Sequence, residues 1–160
     1  MIKFICIFLS LLVLGYAQEE TAMEPYHFNG EKLLLSEEEW QNKLTPEEYK
    51  VLRNKGTEPA FCAAYFNFPE DDGLFVCKGC ALPLFSSEAK FNSHTGWPSF
   101  YDPIFKENVS YKLDNSLGYQ RVEILCSRCD GHLGHVFNDG PPPSGRRYCL
   151  NQIALKFIPK

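Results

Sequence analysis

The stretch Gly145-Arg146-Arg147-Tyr148-Cys149-Leu150-Asn151-Gln152, near the C-terminus, holds the residue types that thiol chemistry needs. Side chains of a strand alternate between faces, so a strand here puts Arg147, Cys149 and Asn151 on one face, continued by Ile153, Leu155 and Phe157. A guanidinium two residues from a thiol favours its ionised form, and the thiolate is the nucleophile. Taken alone, the stretch is equally compatible with a buried cysteine that packs as a small hydrophobe. The rest of the chain has to separate the two readings.

Four other cysteines form the pairs Cys77-Lys78-Gly79-Cys80 and Cys126-Ser127-Arg128-Cys129, each at the end of a strand-like run. Two such knuckles, each aiming two sulfurs at one ion, are the pattern of a tetrahedral four-cysteine zinc site. Disulfides are the competing reading in an exported chain, but adjacent knuckle cysteines are poor staples for a small domain. Four thiolates leave no open position, so this zinc is expected to be structural. Of the seven cysteines, one (Cys6) lies in the leading apolar run and four are ligands, which leaves Cys62 and Cys149. Two lone cysteines in an exported chain suggest a disulfide, either transient or permanent.

Directly after the second knuckle comes Gly131-His132-Leu133-Gly134-His135-Val136-Phe137-Asn138-Asp139-Gly140. Three roles stand open for His132 and His135: a second metal site, caps on the knuckle, or proton carriers for chemistry at Cys149. Trp97, in Gly96-Trp97-Pro98-Ser99-Phe100, reads either as a core aromatic or as a pocket wall.

The elements that must position these residues follow a simple order. Residues 1–17 have the form of a signal peptide, with Lys3, an apolar run from Phe4 to Leu14, and small residues at Gly15 and Ala17, so cleavage is expected before Gln18. The run is shorter than the roughly 20 apolar residues of a spanning helix, which disfavours an uncleaved anchor. Residues 18–35 show no pattern and are expected to form a loosely held N-terminal arm. The remainder, 36–160, suits one domain with a single core. Ser36 with Glu39 and Thr45 with Glu48 have capping-box spacing, predicting two short helices, the second running through Leu52 and Arg53 to Gly56. Strand character follows at Phe75-Val76, Gln120 to Leu125 and Arg147 to Ile158. Acidic residues outnumber basic ones 20 to 16, and no basic run exceeds Arg146-Arg147, which argues against nucleic acid as a partner.

Together, Thr57-Glu58-Pro59, Cys77-x-x-Cys80, Pro83-Leu84-Phe85, Gly96-Trp97-Pro98-Ser99-Phe100, Cys126-x-x-Cys129, His132-Leu133-Gly134-His135-Val136-Phe137, Asp139-Gly140-Pro141 and Arg147-Tyr148-Cys149-Leu150-Asn151 resemble the B-type peptide-methionine (R)-S-oxide reductases, in order and spacing, over about residues 36–158. The resemblance implies a mainly β (α+β) fold: two antiparallel sheets in one compact domain, short N-terminal helices and a structural zinc, held by the four knuckle cysteines, remote from the chemistry. It implies Cys149 as nucleophile, with His132, His135, Asn151 and Trp97 at the active site. A sulfoxide sulfur is a poor electrophile until its oxygen is protonated, so the site needs a thiolate and a proton donor together. On this reading Cys149 attacks while His132 or His135 delivers the proton, Arg147 and Asn151 hold the thiolate and the polar intermediate, and Trp97 walls the methyl group. Methionine leaves and Cys149 becomes a sulfenic acid.

One departure concerns regeneration. Many relatives place a resolving cysteine in Gly-Cys-Gly-Trp-Pro, where this chain has His94-Thr95-Gly96-Trp97-Pro98. Cys62 then becomes the candidate resolver, forming a Cys62–Cys149 disulfide for a thioredoxin-like reductant; direct reduction of the sulfenic acid is the alternative. The implied partners are oxidised proteins bearing methionine-R-sulfoxide and that reductant, with no stable membrane association after cleavage, in a secreted, periplasmic or secretory-lumen location. Two other function classes compete: a non-enzymatic zinc-knuckle binding module, and a zinc hydrolase using His132, His135 and Cys149. Asn108-Val109-Ser110 is an acceptor sequon if the host is a eukaryote with a secretory pathway.

Overall fold

Both capping boxes form. Ser36 Oγ accepts from the Glu39 N–H while the Glu39 carboxylate accepts from the Ser36 N–H, and Thr45 and Glu48 do the same. These start helices α1 (Glu37–Lys43), which buries Trp40, and α2 (Pro46–Leu52), which buries Val51 and Leu52. The computed structural model describes residues 26–61 and 72–160. The expected signal peptide and Cys62 lie outside the described residues. The second helix ends at Leu52, short of the expected Gly56, because Lys55 adopts a left-handed φ of 56° and the Gly56 N–H reaches back to the Lys50 carbonyl at 2.9 Å.

The strands are β1 (Gly73–Cys77), β2 (Pro83–Ser86), β3 (Lys90–Phe91), β4 (Ser99–Phe100), β5 (Val109–Asp114), β6 (Arg121–Cys126), β7 (His132–Phe137), β8 (Arg147–Leu150) and β9 (Leu155–Pro159). They form two antiparallel sheets, of order β2-β1-β9 and β3-β4-β8-β7-β6-β5. The core lies between them. Phe75 and Phe85 of the smaller sheet meet Phe100 and Tyr148 of the larger, with ring centroids 4.7–5.5 Å apart. All four rings are fully buried, and each contributes about 1.5–3 kcal/mol by leaving water.

The alternation from Arg147 to Ile158 is not one strand. β8 ends at Leu150, a 3-10 turn occupies Gln152–Ala154, and β9 belongs to the other sheet, paired with β1. The cause is a distant side chain: the Glu58 carboxylate accepts the N–H groups of Gln152 and Ile153, which diverts the chain between sheets. Arg147 and Cys149 therefore share a face, but Ile153, Leu155 and Phe157 do not continue it.

Two further expectations change. The arm is held, at least over residues 26–35. Leu33 N–H bonds the Arg128 carbonyl at 2.8 Å, Phe28 and Leu35 pack on the core, and the Asn108 amide binds the Tyr26 and Pro83 carbonyls at 2.6 Å while accepting from Phe28 N–H. That network also removes the sequon from consideration in the folded protein. Asn108 is fully buried with its amide committed, so this packing leaves no room for a glycan there.

Candidate active site

The two C-x-x-C turns have the same backbone form. In each, the N–H of the first cysteine bonds the carbonyl five residues on (Cys77 to Leu82, Cys126 to Gly131), and the residue after the second cysteine (Ala81, Asp130) is left-handed and bonds back to the first cysteine's carbonyl. One turn joins β1 to β2 and the other β6 to β7, so the four sulfurs tie one sheet to the other. All four lie within 4.8 Å of one another, with Cys77–Cys129 at 3.6 Å and Cys80–Cys126 at 3.4 Å. Disulfide sulfurs sit about 2.05 Å apart; sulfurs around a tetrahedral ion with bonds of about 2.3 Å sit roughly 3.8 Å apart. The group fits a metal ion. Trp40 of α1 packs over Gly79 and Leu52 of α2 over Gly131, and Arg53 donates to the Cys129 carbonyl at 2.8 Å, so the two helices roof the cluster.

Cys149 lies at the middle of the larger sheet. It pairs with Ser99 of β4 on one side and His135 of β7 on the other, and directly opposed residues of antiparallel strands share a face. Tyr148 and Leu150 point the other way, into the core. β7 can approach β8 this closely because residue 134 is glycine: a Cβ there would fall 2.1 Å from the Cys149 carbonyl oxygen.

His132 and His135 are three apart, an odd spacing that in a regular strand puts them on opposite faces. A bulge reverses this. Ile124 pairs with Gly134 but Leu125 pairs with His132, leaving Leu133 as the extra residue, buried in the core. The two imidazoles meet with centroids 5.4 Å apart. His132 is 2% exposed, with Nδ1 at 2.8 Å from Glu123 Oε1; Lys55 Nζ holds the other Glu123 oxygen at 2.8 Å. His135 Nε2 lies 2.7 Å from Asp114 Oδ2, which also accepts from Arg121 Nη2 at 2.6 Å. Neither histidine caps a knuckle. Among the described residues the four cysteines are the one group of three or more such side chains placed to hold a metal, so no second site forms from His132, His135 and Cys149.

Thr57, Trp97, Arg121, Gly134, His135, Phe137, Cys149, Leu150 and Asn151 line a pocket of about 110 Å³. That exceeds the roughly 10–15 Å³ that one water needs by this measure and falls below the ~150 Å³ of a cavity that takes benzene, so the pocket has room for a small head group only. Trp97 is a pocket wall, its indole N–H donating to the Glu58 carbonyl at 3.1 Å. Asn151 lines the pocket with its amide spanning two segments: Nδ2 donates to the Leu133 carbonyl at 3.1 Å and Oδ1 accepts from Glu58 N–H at 3.0 Å. Arg147 is gripped by both oxygens of Asp139 at 2.8–2.9 Å and lies over the Phe137 ring.

The resting thiol does not follow the simple expectation. Burial pushes Cys149 above the ordinary thiol range, and Thr95, whose hydroxyl is 3.9 Å from Sγ, then Arg147, only partly offset it. Burial also holds both imidazoles below the usual histidine value, with Glu123 pulling His132 up and Asp114 pulling His135 up. Asp114, Arg121, Glu123 and Lys55 escaped the reading of the sequence. Asp114 and Arg121 sit at the two ends of a turn rich in turn formers, Asn115-Ser116-Leu117-Gly118, which marks a hairpin but not what its ends face.

A model of the SelR domain matches residues 44–159. The chain belongs to the SelR family. Curated relatives of this family member include the peptide methionine sulfoxide reductase MsrB of Leptospira interrogans, 54% identical over 76% of this chain and 92% of that one. The MsrB of Methanosarcina mazei is 52% identical over 79% of this chain and 89% of its own length. The chloroplastic peptide methionine sulfoxide reductase B1 of Arabidopsis thaliana is 54% identical over 76% of this chain and 60% of its own. The SelR match takes in the cysteine cluster and every pocket residue named above.

Proposed function

We propose that this protein reduces the R epimer of methionine sulfoxide in oxidised proteins, with Cys149 as the nucleophile. The carrying observation is the half-buried Cys149 thiol directly opposite His135 in a pocket walled by Trp97. Family membership and the named MsrB relatives support the same reaction. The proton of the thiol passes to His135 and on to the sulfoxide oxygen as Sγ attacks sulfur. In the resulting adduct the Sγ–S and S–O bonds break as the hydroxyl passes to Sγ, so oxygen and proton end on Cys149 as a sulfenic acid and the methionine sulfur leaves with the electron pair. His135, which faces the pocket, is the proton carrier; His132, behind it, holds its neighbour in place. Asn151 fixes the chain on either side of the nucleophile, and Arg147 opposes the charge cost of the thiolate. With racemic N-acetyl-methionine sulfoxide amide and dithiothreitol, half the substrate, the R epimer, is consumed. Consumption of the S epimer, or of both equally, overturns the reading.

The ion of the four-cysteine cluster is zinc in this proposal, a brace between the sheets and not a participant in the reaction. Regeneration uses Cys62, whose thiol attacks the sulfenic acid to release water and form a disulfide that a thioredoxin-like protein reduces. The preceding residue supports this: the Phe61 N–H is fixed on the Gly96 carbonyl at 2.9 Å, one residue from Thr95, whose hydroxyl lies 3.9 Å from Cys149 Sγ. Cys62→Ser is expected to release one methionine per enzyme as fast as the parent and to lose recycling by thioredoxin while keeping that by dithiothreitol. Unchanged steady-state turnover with thioredoxin makes direct reduction the route. Residues 1–17 act as an export signal on this reading, so the native protein should begin at or near Gln18 by mass spectrometry; a soluble form beginning at Met1 refutes it.

A further inference from the structure

Among the described residues, Arg121 is the one strongly charged side chain lining the pocket, and the reaction above does not use it. It stands on β6 opposite Asp114 of β5, and its side chain is 15% exposed. The Asp114 carboxylate is divided. Oδ1 accepts from the Ser116 N–H at 2.9 Å, and Oδ2 is shared by Arg121 Nη2 at 2.6 Å and His135 Nε2 at 2.7 Å. One carboxylate oxygen therefore serves two partners, a guanidinium and an imidazole. A lone carboxylate beside an imidazole stabilises its protonated form; a guanidinium on the same oxygen already balances that charge, and it repels a second cation placed beside it.

We propose that Arg121 is a positioning residue for sulfoxide reduction: by sharing Asp114 Oδ2 with His135 it keeps that imidazole uncharged at rest, so the site carries one mobile proton, on sulfur, and the imidazole is free to receive and relay it. This rests on the reading of His135 as the proton carrier. Two protons, one on sulfur and one on His135, leave no base for the thiol; none leaves no acid for the sulfoxide oxygen. Charged and titratable groups face His135 from each strand packed around it. Asp114 on β5 and Glu123 on β6 favour the cation, Arg121 on β6 opposes it, His132 shares its strand, and Cys149 and Arg147 lie on β8. Lys55 sits behind Glu123 and offsets it. Burial and Arg121 outweigh the carboxylates and hold His135 below the usual histidine value.

The test follows the His135 ring by NMR titration in the full zinc-loaded chain, its signal assigned by loss in His135→Gln, beside the pH profile of kcat/KM for the R epimer. Arg121→Gln keeps a donor to Asp114 but removes the charge. It should raise the His135 midpoint and carry the acid limb of kcat/KM to higher pH by the same increment, while Arg121→Lys, which keeps the charge, restores both toward the parent. Asp114→Asn should move both the other way, which keeps the test open if Arg121→Gln folds poorly. An unmoved His135 midpoint in Arg121→Gln overturns the inference. A midpoint that moves without the kinetic limb shows that Arg121 tunes His135 but that His135 does not carry the proton, which overturns the reading on which the inference rests.

Discussion

Cys149→Ser is expected to lower sulfoxide reduction by about 10³-fold or more, the scale of losing a nucleophile whose partners cannot replace it. The hydroxyl of serine is not ionised near neutrality and is a poor nucleophile toward sulfur. The fold should be indifferent to the change, within about 0.5 kcal/mol, because Sγ is half-buried at the pocket and its contact with the Thr95 hydroxyl is a long one, 3.9 Å. The parent's pH profile follows from the two shifts. Burial raises the thiol, so the base limb lies above the ordinary cysteine range, and burial lowers His135, so the acid limb lies below the ordinary histidine range. Between them the site holds one proton and kcat/KM is level across neutrality. Single-turnover release of methionine from the parent and the serine variant checks both points. Sustained turnover by Cys149→Ser would remove the thiol from the chemistry.

Losing one knuckle cysteine, as in Cys77→Ser or Cys129→Ser, is expected to cost the ion and the fold together. Binding of a structural zinc is linked to folding by about 10 kcal/mol or more, comparable with the whole stability of a domain of this size. The architecture explains why the loss is global. The cluster joins the β1–β2 turn to the β6–β7 turn, and both helices pack on it through Trp40 and Leu52. Thiolate ligands must be deprotonated, so the ion is lost as pH falls and stability falls with it. Metal analysis should find one zinc per chain in the parent and none in the variants, whose circular dichroism should show a largely unfolded chain. A variant that is well folded, free of metal and active would show that the cluster is not what holds the sheets together.

Much of this molecule can be read locally. Cys77-x-x-Cys80 and Cys126-x-x-Cys129 are legible because a metal knuckle is a turn of fixed length, whose geometry is set by its own residues. The capping boxes of Ser36 and Thr45 are legible for the same reason. Arg147-Tyr148-Cys149-Leu150-Asn151 and the pair His132 and His135 stand out as motifs, and the structure brings His135, Cys149 and Asn151 to one pocket.

What tertiary structure decided is every relation that depends on a distant residue. The run from Arg147 to Ile158 alternates like one strand, yet Glu58, far away in sequence, takes the N–H groups of Gln152 and Ile153 and sends β9 to the other sheet. The two histidines share a face only because of a bulge at Leu133, and a bulge is a property of two strands paired, not of either alone. An arginine beside a cysteine reads as a thiol held low, but burial, which no spacing encodes, wins at Cys149. Asp114 and Arg121 reach His135 across strand pairings that bring residues 114, 121 and 135 to one oxygen atom. Sequence by itself determined the reactive residue types and the turns that carry them. Packing decided which faces meet and how much water each group loses, and those two quantities set the protonation state on which the chemistry depends.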